Sequence, residues 1–301
     1  MSDIKKFISE RALRAGISCK SHIVTVFGDV VSPHGGWIWL GSLIESLQPL
    51  GFSERLIRTS VYRLVQDDWL QVNKVGRRSF YAFTSTANRH YTKAARRIYS
   101  LQHNGEDSGW LIVMPSFVPE DKLVSLKRQL QWLGFSPLTS GAYAHPSIDA
   151  DSLKETIQEL DISDAVIIFS SHTFDSDSQD VLRKLVFEKW QVDQLQHSYQ
   201  TFIDCYQPIY EVLNKQHKLT DQQGFLLRSL LIHEYRRILL RDHELPKNLL
   251  PENWAGNIAA NLVGDFYCLL TRSSSRYIGN HLYNEAGLLP TASDDYKKRF
   301  R

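Results

Sequence analysis

Ser53-Glu-Arg-Leu-Ile-Arg-Thr-Ser-Val-Tyr-Arg-Leu-Val-Gln66, followed after two aspartates by Trp69-Leu-Gln-Val-Asn-Lys-Val-Gly-Arg-Arg-Ser-Phe-Tyr-Ala-Phe-Thr84, is the stretch whose reading decides the fold. Ser53 is suited to cap a helix, and Glu54 sits in its first turn, where a carboxylate offsets the helix dipole. At 100° per residue Ile57, Val61, Leu64 and Val65 fall within one arc of about 100° and must face a core. The opposite side carries Arg55, Arg58, Thr59, Tyr62, Arg63 and Gln66 without an acid among them. Guanidiniums pair with guanine edges and phosphates, while hydroxyl and amide groups tie to backbone oxygens or bases, so this face suits a helix entering a major groove. The segment after Asp67-Asp68 is strand-like on both sides of Val75-Gly76-Arg77 and predicts a hairpin wing. Lys74, Arg77 and Arg78 at its tip are placed for phosphate contact.

Upstream, His22 to Val31 reads as a short helix that Ser32-Pro-His-Gly-Gly36 ends. A second helix is expected over Trp37 to Gln48, closing at Pro49-Leu50-Gly51. Downstream, helix is expected from Thr84 to Gln102 with Arg89, Lys93, Arg96 and Arg97 outward. A basic helix face alone is commonly just solvated. Here it comes with a cap, a basic hairpin tip and a local charge excess, and that combination points to nucleic acid.

The charge distribution agrees. The 301 residues carry 35 Lys or Arg and 33 Asp or Glu, but residues 1–104 hold 15 of the former and 7 of the latter. A basic segment joined to an acidic body is expected when only the first part meets a polyanion. Three separated cysteines, Cys19, Cys205 and Cys268, suggest neither a disulfide framework nor a cysteine-rich zinc site. No apolar run approaches the roughly 20 residues of a membrane helix, and the first fourteen residues are polar, so a cytoplasmic protein without membrane contact is expected.

Beyond the polar stretch Gln102 to Gly109, strands are expected at Trp110 to Pro115, Leu138 to Ala144 and Ala165 to Phe169. Helices are expected between them: one from about Pro119, with Leu123, Leu126, Leu130 and Leu133 inward and Gly134 closing it, and one over Asp151 to Leu160. That alternation is a ferredoxin-like α/β unit. From Ser178 onward the pattern is helical: Val181 to Leu213, Thr220 to Arg241 and Ala255 to Leu270. The whole is an α+β multidomain chain. Residues 1–104 form a winged helix-turn-helix domain, 105–175 a ferredoxin-like central domain, and 176–301 a helical domain for effector binding and oligomerisation.

Aromatic and basic residues mix in the helical part. Trp190, Tyr199, His233, Arg236, Arg237, Arg241 and Trp254 are candidates to hold an aromatic ring beside an anionic group, although aromatic residues at helical spacing more often pack a core. His233, Asp242, His243 and Glu244 lack the spacing of a zinc site, and no Gly-x-Ser-x-Gly elbow occurs. A nuclease built on the central domain would need acids at its strand ends, and Trp110 to Ser116 has none. A thioesterase remains the other enzymatic reading.

Three runs carry a family resemblance: Gly35-Gly-Trp-Ile-Trp-Leu-Gly-Ser42, Leu50-Gly-Phe-Ser-Glu-Arg-Leu-Ile-Arg-Thr59 and Val75-Gly-Arg-Arg-Ser-Phe-Tyr81. Together with Leu231-Ile-His-Glu-Tyr-Arg-Arg237, Leu245 to Pro251 and Trp254-Ala-Gly256, they resemble the PaaX family of repressors of phenylacetic acid degradation operons. The resemblance implies a GntR-like winged helix, a central domain akin to a small CRISPR-associated nuclease but used for structure, and a helical C-terminal domain. It further implies double-stranded operator DNA as partner, no cofactor, phenylacetyl-CoA as the releasing effector, and action as a homodimer. A related aromatic acyl-CoA is the alternative effector. The family commonly reads Asp-Pro where this chain has Asp242-His243, and Ser273 to Arg301 carries no part of the resemblance.

Overall fold

The computed structural model describes residues 2–14, 16–100, 109–146, 150–216, 219–243, 245 and 247–300. Most of the polar linker read between Gln102 and Gly109 therefore lies outside the described residues, as do Glu244 and Pro246. The chain begins with α1 (Ser2–Arg14) and α2 (Cys19–Val26), the latter capped by Ser18. Phe27–Val31 widens into a π-helical turn, and Ser32–His34 tightens into a 3-10 turn that ends on Gly35 at φ 92°. Then come β1 (Ile38–Trp39), α3 (Leu40–Leu47), α4 (Glu54–Gln66), β2 (Leu70–Val75), β3 (Arg78–Phe83) and α5 (Ser85–Ile98). The middle of the chain runs β4 (Trp110–Pro115), α6 (Glu120–Trp132), β5 (Ser136–Thr139), β6 (Ala142–His145), α7 (Ala150–Glu159) and β7 (Val166–Ser171). It closes with α8 (Ser176–Lys189), α9 (Val192–Gln216), α10 (Asp221–Leu239), α11 (Ala255–His281), β8 (Tyr283–Asn284), β9 (Gly287–Leu288) and α12 (Asp294–Lys297).

Several elements differ from the expectation. The helix read from Trp37 starts only at Leu40, because Ile38 and Trp39 pair antiparallel with Tyr81 and Phe80 of β3 and complete a three-stranded sheet, β1-β3-β2. The strand read from Leu138 to Ala144 is two strands, β5 and β6, folded back on each other. The helix read from Val181 to Leu213 breaks at Gln191, whose φ of 50° no helix accommodates, and so becomes α8 and α9. Pro208 lies inside α9 without ending it. The helix read to Leu270 continues to His281.

By contacts the chain divides into two units: residues 1–101, 201–239 and 258–301 form one, and 102–200 with 240–257 form the other. This division differs from three consecutive segments, because α10 and most of α9 and α11 pack with the N-terminal elements. In α10 every residue from Gly224 to Leu239 except Arg237 is buried, as expected of a helix surrounded by protein. Its apolar side chains, among them Phe225, Leu230 and Leu231, join Ile23, Phe27, Leu43 and Ile57 in being fully or almost fully enclosed.

A buried helix carries polar groups at low cost only if they are paired, and the polar residues of α10 find partners largely on the N-terminal elements. Nη2 of Arg228, Nε2 of His233 and Nε of Arg236 are nonetheless buried with no hydrogen-bond partner among the described residues. Ser229 Oγ lies 2.8 Å from Nε2 of His22, and Nδ1 of His233 lies 3.0 Å from Oγ1 of Thr25. Arg236 donates to Ser21 Oγ at 3.1 Å. Arg11 donates from Nε to Glu234 at 2.9 Å, and the Tyr206 hydroxyl donates to the same carboxylate at 2.8 Å.

A buried ion pair joins Arg228 to Asp29 in the π-helical turn. Asp29 also accepts from Arg299 and from the hydroxyls of Tyr99 and Tyr267, each at 2.9 Å. Burial pushes its carboxyl pKa up, but Arg228, Arg299 and the two hydroxyls outweigh that and hold it below the usual carboxylate range. The stretch that carried no resemblance is thus part of the core: Arg299 lies 3.7 Å from the centre of the Tyr99 ring, and Tyr296 and Phe300 are buried.

The second unit is built on a four-stranded antiparallel sheet ordered β5-β6-β4-β7. Leu111 and Val113 of β4 and Tyr143 of β6 meet Leu126 and Leu130 of α6 and Leu153 and Ile157 of α7 in one core. Since strand side chains alternate, Trp110, Ile112 and Met114 point to the other face.

Candidate nucleic-acid interface

α4 owes its position to a local cap and a buried stripe. The Ser53 hydroxyl accepts from the Leu56 amide at 3.2 Å, and Ile57, Ser60, Val61 and Leu64 are buried while Val65 is half-buried. All six side chains read as the outer face, Arg55, Arg58, Thr59, Tyr62, Arg63 and Gln66, are exposed, with Tyr62 at 64%. An aromatic side chain that exposed on a packed helix has little to gain from its own fold.

Two details modify the outer face. Glu54, one turn before Arg58, accepts from its Nε at 2.8 Å, so Arg58 begins in an i,i+4 ion pair. An exposed pair of this kind contributes well under about 1 kcal/mol and opens readily for a phosphate or base. The Thr59 hydroxyl donates to the Arg55 carbonyl at 2.8 Å, which occupies its proton and leaves its lone pairs outward.

The wing follows directly. β2 and β3 pair in unbroken register from Leu70↔Phe83 to Val75↔Arg78. Their two-residue connection is Gly76-Arg77, with Gly76 at φ 58°, which glycine adopts without strain. Lys74, Arg77 and Arg78 are all exposed. Arg78 lies 5.0 Å from the Trp39 ring centre, so β1, which sequence reasoning missed, supplies the platform that orients it. Beside the wing, Asn73 donates to Glu285, in the β8–β9 turn, at 3.2 Å.

The residues read as effector contacts are distributed over both units. Trp190 is buried edge-on against Trp110 at 6.1 Å and His243 at 6.0 Å. The Tyr199 hydroxyl donates to Asp242 at 2.7 Å, and its ring meets Trp254 at 5.7 Å. His233 and Arg236 belong to the buried polar contacts of α10, whereas Arg237 and Arg241 are exposed. Burial pushes the His22 imidazole down to about 3 and depresses His233 as well, the neighbouring ring at 4.8 Å adding to the effect on His233.

A different concavity, unread in the sequence, opens in the second unit. It holds about 530 Å³ between Trp110, Ile112 and Leu138 on one side and Val181, Leu182 and Leu185 of α8 on the other. Its one charged wall residue among those described is Asp177. The signal was faint, since an apolar strand followed by an apolar helix stripe reads as closed packing.

Among the described residues no helix is long and apolar enough to cross a membrane. Comparison with known proteins gives three family matches: the PaaX-like protein family over residues 18–87, the central Cas2-like domain of PaaX proteins over 103–182, and the PaaX-like C-terminal domain over 190–280. The chain is 34% identical over 301 residues to the transcriptional repressor PaaX of Escherichia coli strain K12, covering all of this chain and 95% of that one. A solved structure, the uncharacterized protein Rv0674 from Mycobacterium tuberculosis, matches at a TM-score of 0.48 and 16% identity over 82% of this chain and 94% of its own.

Proposed function

The chain belongs to the PaaX family, and from that premise we propose that it is a transcriptional repressor of a phenylacetate catabolic operon, working in the cytoplasm on double-stranded DNA. The observation that carries this reading is the exposed, donor-rich face of α4 beside a basic hairpin, in a chain alignable end to end with a repressor. In this reading the first unit is a winged helix-turn-helix, with α4 in the major groove and Lys74, Arg77 and Arg78 on the flanking backbone. The βαββαβ unit is ferredoxin-like and structural, and the protein is a regulator rather than an enzyme.

The releasing effector is phenylacetyl-CoA. Of the seven residues first read as its contacts, only Arg237 and Arg241 are exposed, and Arg241, which belongs to the same unit as the groove below, suits its phosphates; the others are enclosed by the protein's own packing. The groove lined by Ile112, Leu138 and Leu182 supports an apolar acyl group, and its volume falls within the range of small-molecule sites. Asp177 at its wall favours a neutral thioester over a free carboxylate, which it repels. That volume exceeds what one phenyl ring fills, which favours a larger aromatic acyl-CoA as the second reading.

Fluorescence anisotropy of DNA from upstream of the chain's own operon tests this, with protein titrated at fixed salt and then with phenylacetyl-CoA or phenylacetate. Release by the thioester alone is the expected result. Specific binding indifferent to both discards the effector, and absence of specific binding discards the repressor. Production of free CoA during the incubation would return the thioesterase.

A further inference from the structure

The hairpin formed by β2 and β3 reaches well past its own support. β1 pairs with β3 only at Tyr81 and Phe80, so beyond Phe80 and its partner Asn73 the tip has two strands and, among the described residues, no third. Every residue from Gln71 to Arg78 is exposed. A two-stranded ribbon without a covered face is marginal in water, so the angle at which it carries its cations depends on what touches it at the root. We propose, building on the wing reading above, that the β8–β9 turn supplies that contact and that Glu285 is a positioning residue for DNA binding. By accepting from Asn73 at 3.2 Å, it sets how the wing presents Lys74, Arg77 and Arg78.

The turn lies beyond residue 280, where the last family match ends, yet it is anchored on elements just before the wing. The Tyr283 amide donates to Oγ of Ser42, a buried hydroxyl of α3, at 3.1 Å. Leu282 and Leu289, joined by a backbone bond of 2.8 Å, are buried. Pro290 lies against Gly35, where an added β-carbon would meet its Cγ at 3.0 Å, and the Ser293 amide donates to the Pro33 carbonyl at 2.9 Å. Oδ1 of Asn284 accepts from the Ala286 amide at 2.9 Å and so closes the turn with Glu285 at its apex. β8 also runs beside β1, whose Trp39 carries Arg78. Strand alternation puts Asn73, Phe80, Trp39 and Arg78 on one face of the sheet, and the turn meets that face through Asn73.

The sign of the charge separates this role from a mere surface contact. A carboxylate beside cations that meet phosphates repels the polyanion, so by charge alone Glu285 weakens binding. As a positioning residue it strengthens binding, because a hairpin already held at its working angle loses less freedom on DNA. The two roles give opposite effects for the same truncation.

The test compares full-length variants by anisotropy on operator DNA at several salt concentrations, with circular dichroism to verify folding. Glu285→Ala lowers affinity about 5-fold, the scale of one exposed contact to a charged group, and flattens the salt slope. Glu285→Gln keeps a carbonyl acceptor for Asn73 without the charge and binds at least as tightly as the wild type. Asn73→Ala reproduces Glu285→Ala, and the double variant is no weaker than either, as required of two residues acting through one contact. Tighter binding by both Glu285→Ala and Glu285→Gln, no change in either, or a loss in Glu285→Ala that Glu285→Gln does not rescue overturns the positioning role. Losses in Glu285→Ala and Asn73→Ala that add in the double variant overturn it too. Lys74→Ala and Arg78→Ala report on the wing itself. Full-strength binding by both discards the wing reading, whereas weakened binding by these two with unaltered Glu285 variants removes only the support from the β8–β9 turn.

Discussion

Nε of Arg228 donates to Oδ2 of Asp29 at 3.0 Å, and neither side chain is more than 1% exposed. The two residues lie 199 positions apart, on α10 and in the π-helical turn after α2. Removing one member strands the other's charge in a dry interior. Arg228→Ala should therefore cost about 3–5 kcal/mol, read as a lower urea midpoint at unchanged slope. A loss below about 1 kcal/mol would mean that Arg299 and the tyrosines alone satisfy the carboxylate.

Stability should also fall in mild acid. An imidazole whose folded pKa lies below its unfolded value binds fewer protons folded than unfolded. Its contribution is complete above the ordinary histidine value of 6.5 and drains as pH falls toward the folded value, about 3 for His22. His233 shifts in the same direction and adds to the effect. Each group costs about 1.4 kcal/mol per pH unit across that window. Thermal melts between pH 7 and 5 should show the decline, and replacing His22 with Gln should flatten it.

On the proposed DNA-reading face, Arg58→Ala should cost about 1–3 kcal/mol and relax preference at one base position if Arg58 reads a base edge. Arg78→Ala should weaken binding to all sequences alike and lower the slope of log affinity against log salt. Anisotropy titrations on operator and scrambled DNA separate the two, and full binding by both variants would place the interface elsewhere.

In the groove of the second unit, Leu182→Trp should fill the space and abolish release by the thioester while leaving operator affinity unchanged. Asp177→Asn should let free phenylacetate act, lowering the concentration needed by about 5-fold, the scale of one exposed charge contact. Unaltered effector response in both variants would clear the groove of any role.

The capped, periodic α4 and the hairpin behind it were legible because their determinants are local: a serine before the helix, a 3.6-residue stripe, a glycine between two strands. Trp37-Ile-Trp-Leu40 was misread as helix because four apolar residues in a row fit either period, and only pairing with β3 forces Ile38 and Trp39 to extend. The partition of the C-terminal half was hidden for a related reason. Arg228, Ser229, His233 and Arg236 show their charge and polarity in the sequence, but their partners Asp29, His22, Thr25 and Ser21 lie some two hundred residues away. Read without those partners, His233 and Arg236 look like ligand contacts; with them they belong to the scaffold under α2. Trp190 and Tyr199 were drawn into the same reading by their aromatic character, which core packing explains equally well.

The threading of α10 among the N-terminal elements has a consequence for how such a chain can be cut, swapped or inherited. A fragment ending after α5 would bare the apolar seat of α10 and leave Asp29 and His22 without the groups that satisfy them. It would not be a free-standing reader that could be grafted onto another sensor. Recombination that exchanges the first hundred residues must carry compatible α10 and tail residues with it, so the reading head and its helical support are obliged to evolve as one inseparable cassette.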